Sequence, residues 1–156
     1  DTTLAANADS IIPTQKAVKA YVDNLSPQYN NVSLTGNTTI QRLYNVLNNV
    51  VGATGTVTHD IDLGTVWYHS FIVSDFDASF TNVSSSNNQS IQVTLYLEQG
   101  VTAFVPTSVR INTQVVPLLW IGGVLPSGTP NGIDRFTFTL INHGSWTVIG
   151  EAQAAF

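Results

Sequence analysis

The run Ile133-Asp134-Arg135-Phe136-Thr137-Phe138-Thr139-Leu140-Ile141, then Asn142-His143-Gly144-Ser145, then Trp146-Thr147-Val148-Ile149-Gly150, decides the fold class. Two stretches of alternating apolar and polar residues flank a short polar link that contains glycine, which is the pattern of a β-hairpin. Phe136, Phe138 and Leu140 face one side of such a strand and Thr137 and Thr139 the other, because successive side chains alternate. Outward from this hairpin, strands are expected at residues 56–63, 65–73, 78–83, 90–98, 107–111, 114–119, 135–141 and 145–150. Ile91, Val93, Leu95 and Leu97 give the cleanest alternation. Links such as 84–89 and 122–132 are Gly, Pro, Ser and Asn, the residues of turns. Eight short strands with frequent turns predict an all-β body, an antiparallel β-sandwich of jelly-roll-like type. Strands and helices do not alternate, which disfavours a parallel nucleotide-binding sheet.

Ahead of this body, residues 1–10 are small and polar and are expected to be extended. Residues 12–25 predict a short N-terminal α-helix. Pro13 suits its first turn, Ala and Lys favour its middle, and Pro27 stops it. Ile11, Gln15, Val18, Val22 and Leu25 form a seam of two heptads, too short to be stable alone. Two readings stay open: an amphipathic helix lying on its own domain, or a short parallel bundle with copies of itself. Residues 28–37 read as loop or short edge strand. Residues 38–51 are expected to be helical from the spacing of Ile40, Leu43, Tyr44, Leu47, Val50 and Val51, although Asn45, Asn48 and Asn49 oppose it. The domain organisation is therefore 1–27, an extended segment and oligomerisation helix, and 28–156, the β-sandwich body.

Composition narrows the function. The chain has 156 residues, enough for one domain with a real core. Only 10% are charged, against roughly 25% in an ordinary domain, and Thr, Ser, Asn and Gln take their place. Beyond Ser26 there is no lysine, and Arg42, Arg110 and Arg135 are the only cations. With a net charge of −5 and no basic patch, nucleic-acid binding by phosphate neutralisation is excluded as a reading. The absence of cysteine removes disulfides and thiolate metal sites. No apolar run reaches membrane-spanning length, so no membrane insertion is expected. The chain opens on Asp1 and is expected to be the ordered or processed part of something longer.

Few residue groups suggest chemistry. His59, Asp60 and Asp62 stand together, and an oxygen-ligand cation site is conceivable there. A polar strand end entering a turn is the better reading, because no further ligand has a recognisable spacing. Asp75 and Asp77 flank Phe76 as two carboxylates on one side of an extended segment, best read as a charged strand edge that blocks pairing. His69 and His143 are isolated, and no Gly-x-Ser-x-Gly elbow supports a triad. Gly122, Gly123 and Gly128 sit in a loop without a following helix and read as turn residues. Trp67, Tyr68, Trp120 and Trp146 would form a carbohydrate platform if exposed, but aromatics in short strands are usually core or interface. Pro117-Leu118-Leu119-Trp120-Ile121 is strongly apolar, and Leu118, Leu119, Trp120 and Ile121 are a candidate contact patch. No catalytic, cofactor-binding or metal-binding residue is assigned.

Two stretches carry a resemblance. Leu4-Ala5-Ala6-Asn7-Ala8-Asp9-Ser10-Ile11-Ile12-Pro13-Thr14-Gln15-Lys16-Ala17-Val18-Lys19-Ala20-Tyr21-Val22-Asp23 resembles a linker found repeatedly in fibre and appendage proteins of tailed bacteriophages. Gly52-Ala53-Thr54-Gly55-Thr56-Val57-Thr58-His59-Asp60, Val66-Trp67-Tyr68-His69-Ser70, Phe80-Thr81-Asn82-Val83, Trp120-Ile121-Gly122-Gly123 and the terminal hairpin are similar to a C-terminal module of virion structural proteins, notably of marine and cyanobacterial phages. The resemblance implies a non-enzymatic, commonly trimeric β-module of the virion, at the tail or capsid surface, with the leader helix bundling three chains. It implies partners among other virion proteins and a host-surface glycan or receptor, and no cofactor. A tail fibre or appendage is the first reading and a capsid head fibre, decoration or cement protein the second. A host-glycan depolymerase is the third, for which Asp60, Asp62, Asp75, Asp77 and Asp134 are the available carboxylates.

Overall fold

The computed structural model describes residues 44–155. The chain separates into two units, Asp1–Arg42 and Leu43–Phe156, and the described strands belong to the second. The leader helix, its seam Ile11, Gln15, Val18, Val22 and Leu25, and the start of the 38–51 stretch lie outside the described residues.

Among the described residues ten strands follow one another: β1 Leu47–Val51, β2 Gly55–Asp60, β3 Val66–Ser70, β4 Phe76–Thr81, β5 Gln89–Glu98, β6 Pro106–Ile111, β7 Gln114–Val116, β8 Leu118–Trp120, β9 Ile133–Asn142 and β10 Trp146–Ala155. One 3-10 turn, Ile61–Leu63, joins β2 to β3. They form a six-stranded sheet ordered β1-β3-β5-β9-β10-β8 and a four-stranded sheet ordered β2-β4-β6-β7. The expected β body is present. Its expected antiparallel arrangement is not: five of the eight strand pairings among the described residues are parallel.

The topology explains this. From β1 to β6 the chain changes sheet at every link, so odd strands fall in the larger sheet and even strands in the smaller. Each strand re-enters its sheet in the direction of the one before it, giving β1-β3-β5 and β2-β4-β6 as two parallel ribbons. Parallel neighbours need a long crossover, usually a helix. Here the crossover is a strand of the opposite sheet, so no strand–helix rhythm marks the sequence. After β6 the pattern changes. A two-residue link at Asn112 and Thr113 turns β6 back into β7. The hairpin that opened the sequence reading forms as expected, with β9 and β10 paired from Asn142–Trp146 to Ile133–Ala155.

Several expected boundaries shift: the 65–73 strand is Val66–Ser70, the 78–83 strand is Phe76–Thr81, and the 145–150 strand extends to Ala155. Residues 47–51 are strand, not helix: Val50 and Val51 are β-branched, Asn48 Nδ2 donates to the Leu63 carbonyl at 3.2 Å, and the whole segment pairs with β3. The 56–63 strand ends at Asp60, whose Oδ1 accepts from the Asp62 N–H at 3.0 Å and caps the 3-10 turn. The 114–119 strand splits at Pro117 into β7 and β8, which join different sheets, because proline cannot donate to a ladder.

The core lies between the two sheets. Phe76, Phe80, Val109 and Ile111 from the smaller sheet meet Val93, Leu95, Leu97, Phe136, Phe138 and Leu140 from the larger. Phe80 and Phe138 touch across the gap with ring centroids 5.7 Å apart. Each such side chain, fully buried, contributes about 1.5–3 kcal/mol relative to exposure. At the far end of the sandwich Asp134 is buried. Its Oδ2 accepts from Gln99 Nε2 at 3.0 Å and from the Thr129 N–H at 2.8 Å, tying the loop after β5 to the loop before β9.

Candidate functional site

The sandwich opens at one end. β2, β4 and β6 finish there at Asp60, Thr81 and Ile111, and β5 and β10 start there at Gln89 and Trp146. β5 overhangs its neighbour, since its pairing with β3 begins only at Thr94. The space left at this mouth is a half-open pocket of about 340 Å³. Its apolar lining is Ile61, Val83, Ile91 and Trp146, and its polar lining is Ser84, Gln89 and Ser90. That volume falls at the lower end of small-ligand sites, about 300–1,000 Å³. Gln89, Ile91 and Trp146 reach it because their positions share the inward parity of Val93 and Val148.

The loops around the mouth are cross-tied. Asn142 Nδ2 donates to the carbonyls of Ser85 and Ser86 at 3.2 and 3.1 Å. The Gly144 N–H donates to Asn87 Oδ1 at 2.6 Å, and His143 Nδ1 lies 2.8 Å from Asn88 Oδ1. Asn112 clasps Val83: its Nδ2 donates to the Val83 carbonyl at 2.8 Å and its Oδ1 accepts the Val83 N–H at 3.1 Å. The Asn- and Ser-rich links that read as simple turns thus hold one another. Among the described residues, none hydrogen-bonds the side chains of Gln89, Ser90 or Trp146.

His59 and His69 come together, which sequence reasoning missed because they stand ten residues apart on strands of different sheets. Both are 0% exposed, and their Nε2 atoms are 3.0 Å apart. Trp67, Phe80 and Phe76 surround them at 5.2 to 5.5 Å between centroids. Neither Nδ1 has a hydrogen-bond partner. Burial, with the repulsion of His69, lowers the His59 pKa to about 3, against a weaker opposing pull from the Ser79 backbone, and burial lowers that of His69 to about 4. Both rings are neutral at neutral pH. A pair with no exposure cannot touch a substrate, so its role is in the fold. The only sequence signal was the inward parity of both histidines within apolar strands.

The carboxylates disperse. Asp60 serves the turn cap and also accepts from Asn82 Nδ2 at 2.8 Å. Asp75 accepts from the Val105 N–H at 2.8 Å. Asp77 accepts from Ser108 Oγ at 2.9 Å and pairs with Arg110. These two therefore fasten β4 to β6 inside the smaller sheet, rather than guarding a free edge as expected. Asp134 sits at the opposite end from Asp60 and Asp62. Among the described residues, no three His, Asp or Glu side chains gather as a metal site would need.

The aromatic candidates separate as well. Trp67 is core, its Nε1 donating to the Gly64 carbonyl at 3.2 Å. Trp120 packs on Phe136 and Phe138 and is half-buried. Tyr68 lies on the outer face of the larger sheet, in a row Asn49, Tyr68, Tyr96, Arg135 and Gln153 set by the strand registers. Trp146 lines the mouth. In the proposed contact patch Leu119 is 57% and Ile121 65% exposed, while Leu118 and Trp120 are half-buried. Gly122 and Gly123 take positive φ in the turn after β8, as turn residues should.

No family model, curated protein or solved structure matches the chain.

Proposed function

We propose that this chain is a structural and adhesion module of a tailed-phage virion, a fibre or appendage element that works as a trimer and performs no reaction. The observation that carries the reading is the state of the larger sheet's margins. Its two edge strands, β1 and β8, have apolar residues in the open: Leu47 and Val51 on one, Leu119 with the following Ile121, Val124 and Leu125 on the other. Open apolar edges are a liability for a solitary protein and an asset for one that packs against copies of itself.

The outer face supports the same reading. Its row of two tyrosines and an arginine is of the residue types enriched at protein interfaces, and no lysine interrupts the described strands. The resemblance of the leader and body to phage modules supplies the setting. The test is the mass of the full chain in solution. Three copies per particle at micromolar concentration are expected; a stable monomer overturns the reading. Imaging a virion with the chain located then separates tail from capsid.

A further inference from the structure

We propose that the mouth pocket of the sandwich binds one neutral pyranose, stacked on Trp146 and hydrogen-bonded by Gln89 and Ser84. The inference rests on the adhesion part of the reading above and gives it an address.

Three features single out this chemistry. The first is the mix of the lining. An indole beside Ile61 and Ile91 offers an apolar surface whose negative ring face attracts the C–H groups on one face of a sugar ring. Beside it stand the Gln89 amide and the Ser84 hydroxyl, which can both donate and accept, as the hydroxyls of a sugar do. The second is that the amide and the indole are uncommitted, while the Ser84 hydroxyl, which accepts from the Ser86 N–H at 3.3 Å, keeps its own proton to donate. Among the described residues, the side chains of Gln89 and Trp146 have no hydrogen-bond partner. The third is charge. No charged side chain lines the pocket, so a carboxylated or phosphorylated sugar would find nothing to neutralise it.

The pocket is also prepared for a ligand. Ser84 lies in, and Gln89 directly follows, the link between β4 and β5, which Asn142 and Asn112 fasten from two sides. Trp146 follows directly on the link that Asn87 and Asn88 hold. Little ordering remains to be done on binding, which is what makes a weak single-sugar site productive when several copies display it.

Titration of the full chain with neutral methyl glycosides of the common hexoses, followed by amide chemical-shift changes, tests this. Binding of at least one with a Kd of about 1 mM is expected, with shifts centred on Ser84, Gln89–Ile91 and Trp146. Trp146→Ala should weaken it at least about tenfold. Gln89→Ala, at an exposed position that leaves the core intact, should weaken it severalfold and covers the case in which the tryptophan variant fails to fold. No binding by any neutral glycoside, shifts centred elsewhere, preference for an acidic sugar, or unchanged binding in Gln89→Ala overturns the proposal. An oligomer whose pocket stays empty would sink this inference and leave the assembly reading intact; a monomer that binds the sugar would do the reverse.

Discussion

His59 Nε2 lies 3.0 Å from His69 Nε2, and this one hydrogen bond links the four-stranded sheet to the six-stranded sheet inside the core. A bond between two such nitrogens requires one to carry the proton and the other to be bare. With one ring protonated the bond can survive, but a charge then sits among Trp67, Phe76 and Phe80. With both protonated, two N–H groups face each other and the bond is lost.

Acid should therefore destabilise the fold from about pH 6.5 downward. The unfolded histidines take up protons near 6.5, whereas the folded ones hold out to about 3 and about 4. The folded pKa values are depressed, so the unfolded state binds more protons throughout that window. Stability from the neutral pair is complete above 6.5 and falls as pH drops towards 4. Each histidine contributes a slope of about 1.4 kcal/mol per pH unit. Urea midpoints measured from about pH 7.5 down to about pH 5 should fall steadily; a flat profile would contradict the pairing.

Replacing both histidines by leucine should remove that slope. His69→Leu alone leaves His59 Nε2 buried without a partner and should cost about 1–3 kcal/mol. The double variant removes both orphaned groups, so it should be less destabilised than the two single variants added together. A double-mutant cycle read by chemical denaturation gives the sign of the coupling.

The strands were legible in the sequence because each buries one face, and a period of two records that directly. Phe136, Phe138 and Leu140 on β9, and Val93, Leu95 and Leu97 on β5, are buried as their alternation predicts. Pairing was not legible. Whether a link such as 71–75 turns back beside its own strand or crosses to the other sheet is decided by what the next strand packs against, and both links look alike in composition. Residues 47–51 misled for a related reason, since an apolar pattern spaced at three and four fits a helix until β3 offers a ladder. The mouth pocket needed all of this at once: its lining comes from the 61–63 turn, the 82–88 link, β5 and β10, which only the crossing topology brings together.

Gly150 sits where no side chain fits. A Cβ there would lie 2.6 Å from Cε3 and Cζ3 of Trp120 and 3.2 Å from Leu118 Cδ1. Gly150→Ala should push the indole off Phe136 and Phe138, against which it packs edge-on and tilted. The expected loss is about 1–3 kcal/mol, with a changed near-ultraviolet circular dichroism spectrum. Native-like stability and an unchanged spectrum would show that β8 shifts freely to make room.

Asp134 is a structural acceptor, so the shape of its side chain should matter more than its charge. Asp134→Ala leaves the Thr129 N–H and Gln99 Nε2 without their shared acceptor and should cost about 1–3 kcal/mol. Asp134→Asn keeps an oxygen in reach and should cost less. If instead the carboxylate served chemistry, the two variants would be equally inactive and equally stable, and thermal melts of the pair separate the cases.

The β6–β7 turn stores strain that a single substitution can release. Asn112 and Thr113 both have positive φ, 46° and 74°, which is the pattern of a type I′ hairpin turn. Asn112 suits its place, since asparagine tolerates this region and its side chain clasps Val83. Thr113 does not: it is β-branched, and positive φ costs such a residue on the order of 1–3 kcal/mol. Glycine adopts the same φ without that penalty, at an entropic cost of roughly 0.5–1 kcal/mol. Thr113→Gly should therefore stabilise the protein by about 1 kcal/mol, whereas Asn112→Gly should destabilise it by removing the clasp. Equilibrium unfolding of the two variants checks the opposite signs, and a loss of stability in Thr113→Gly would show that the threonine hydroxyl does something the strained turn requires.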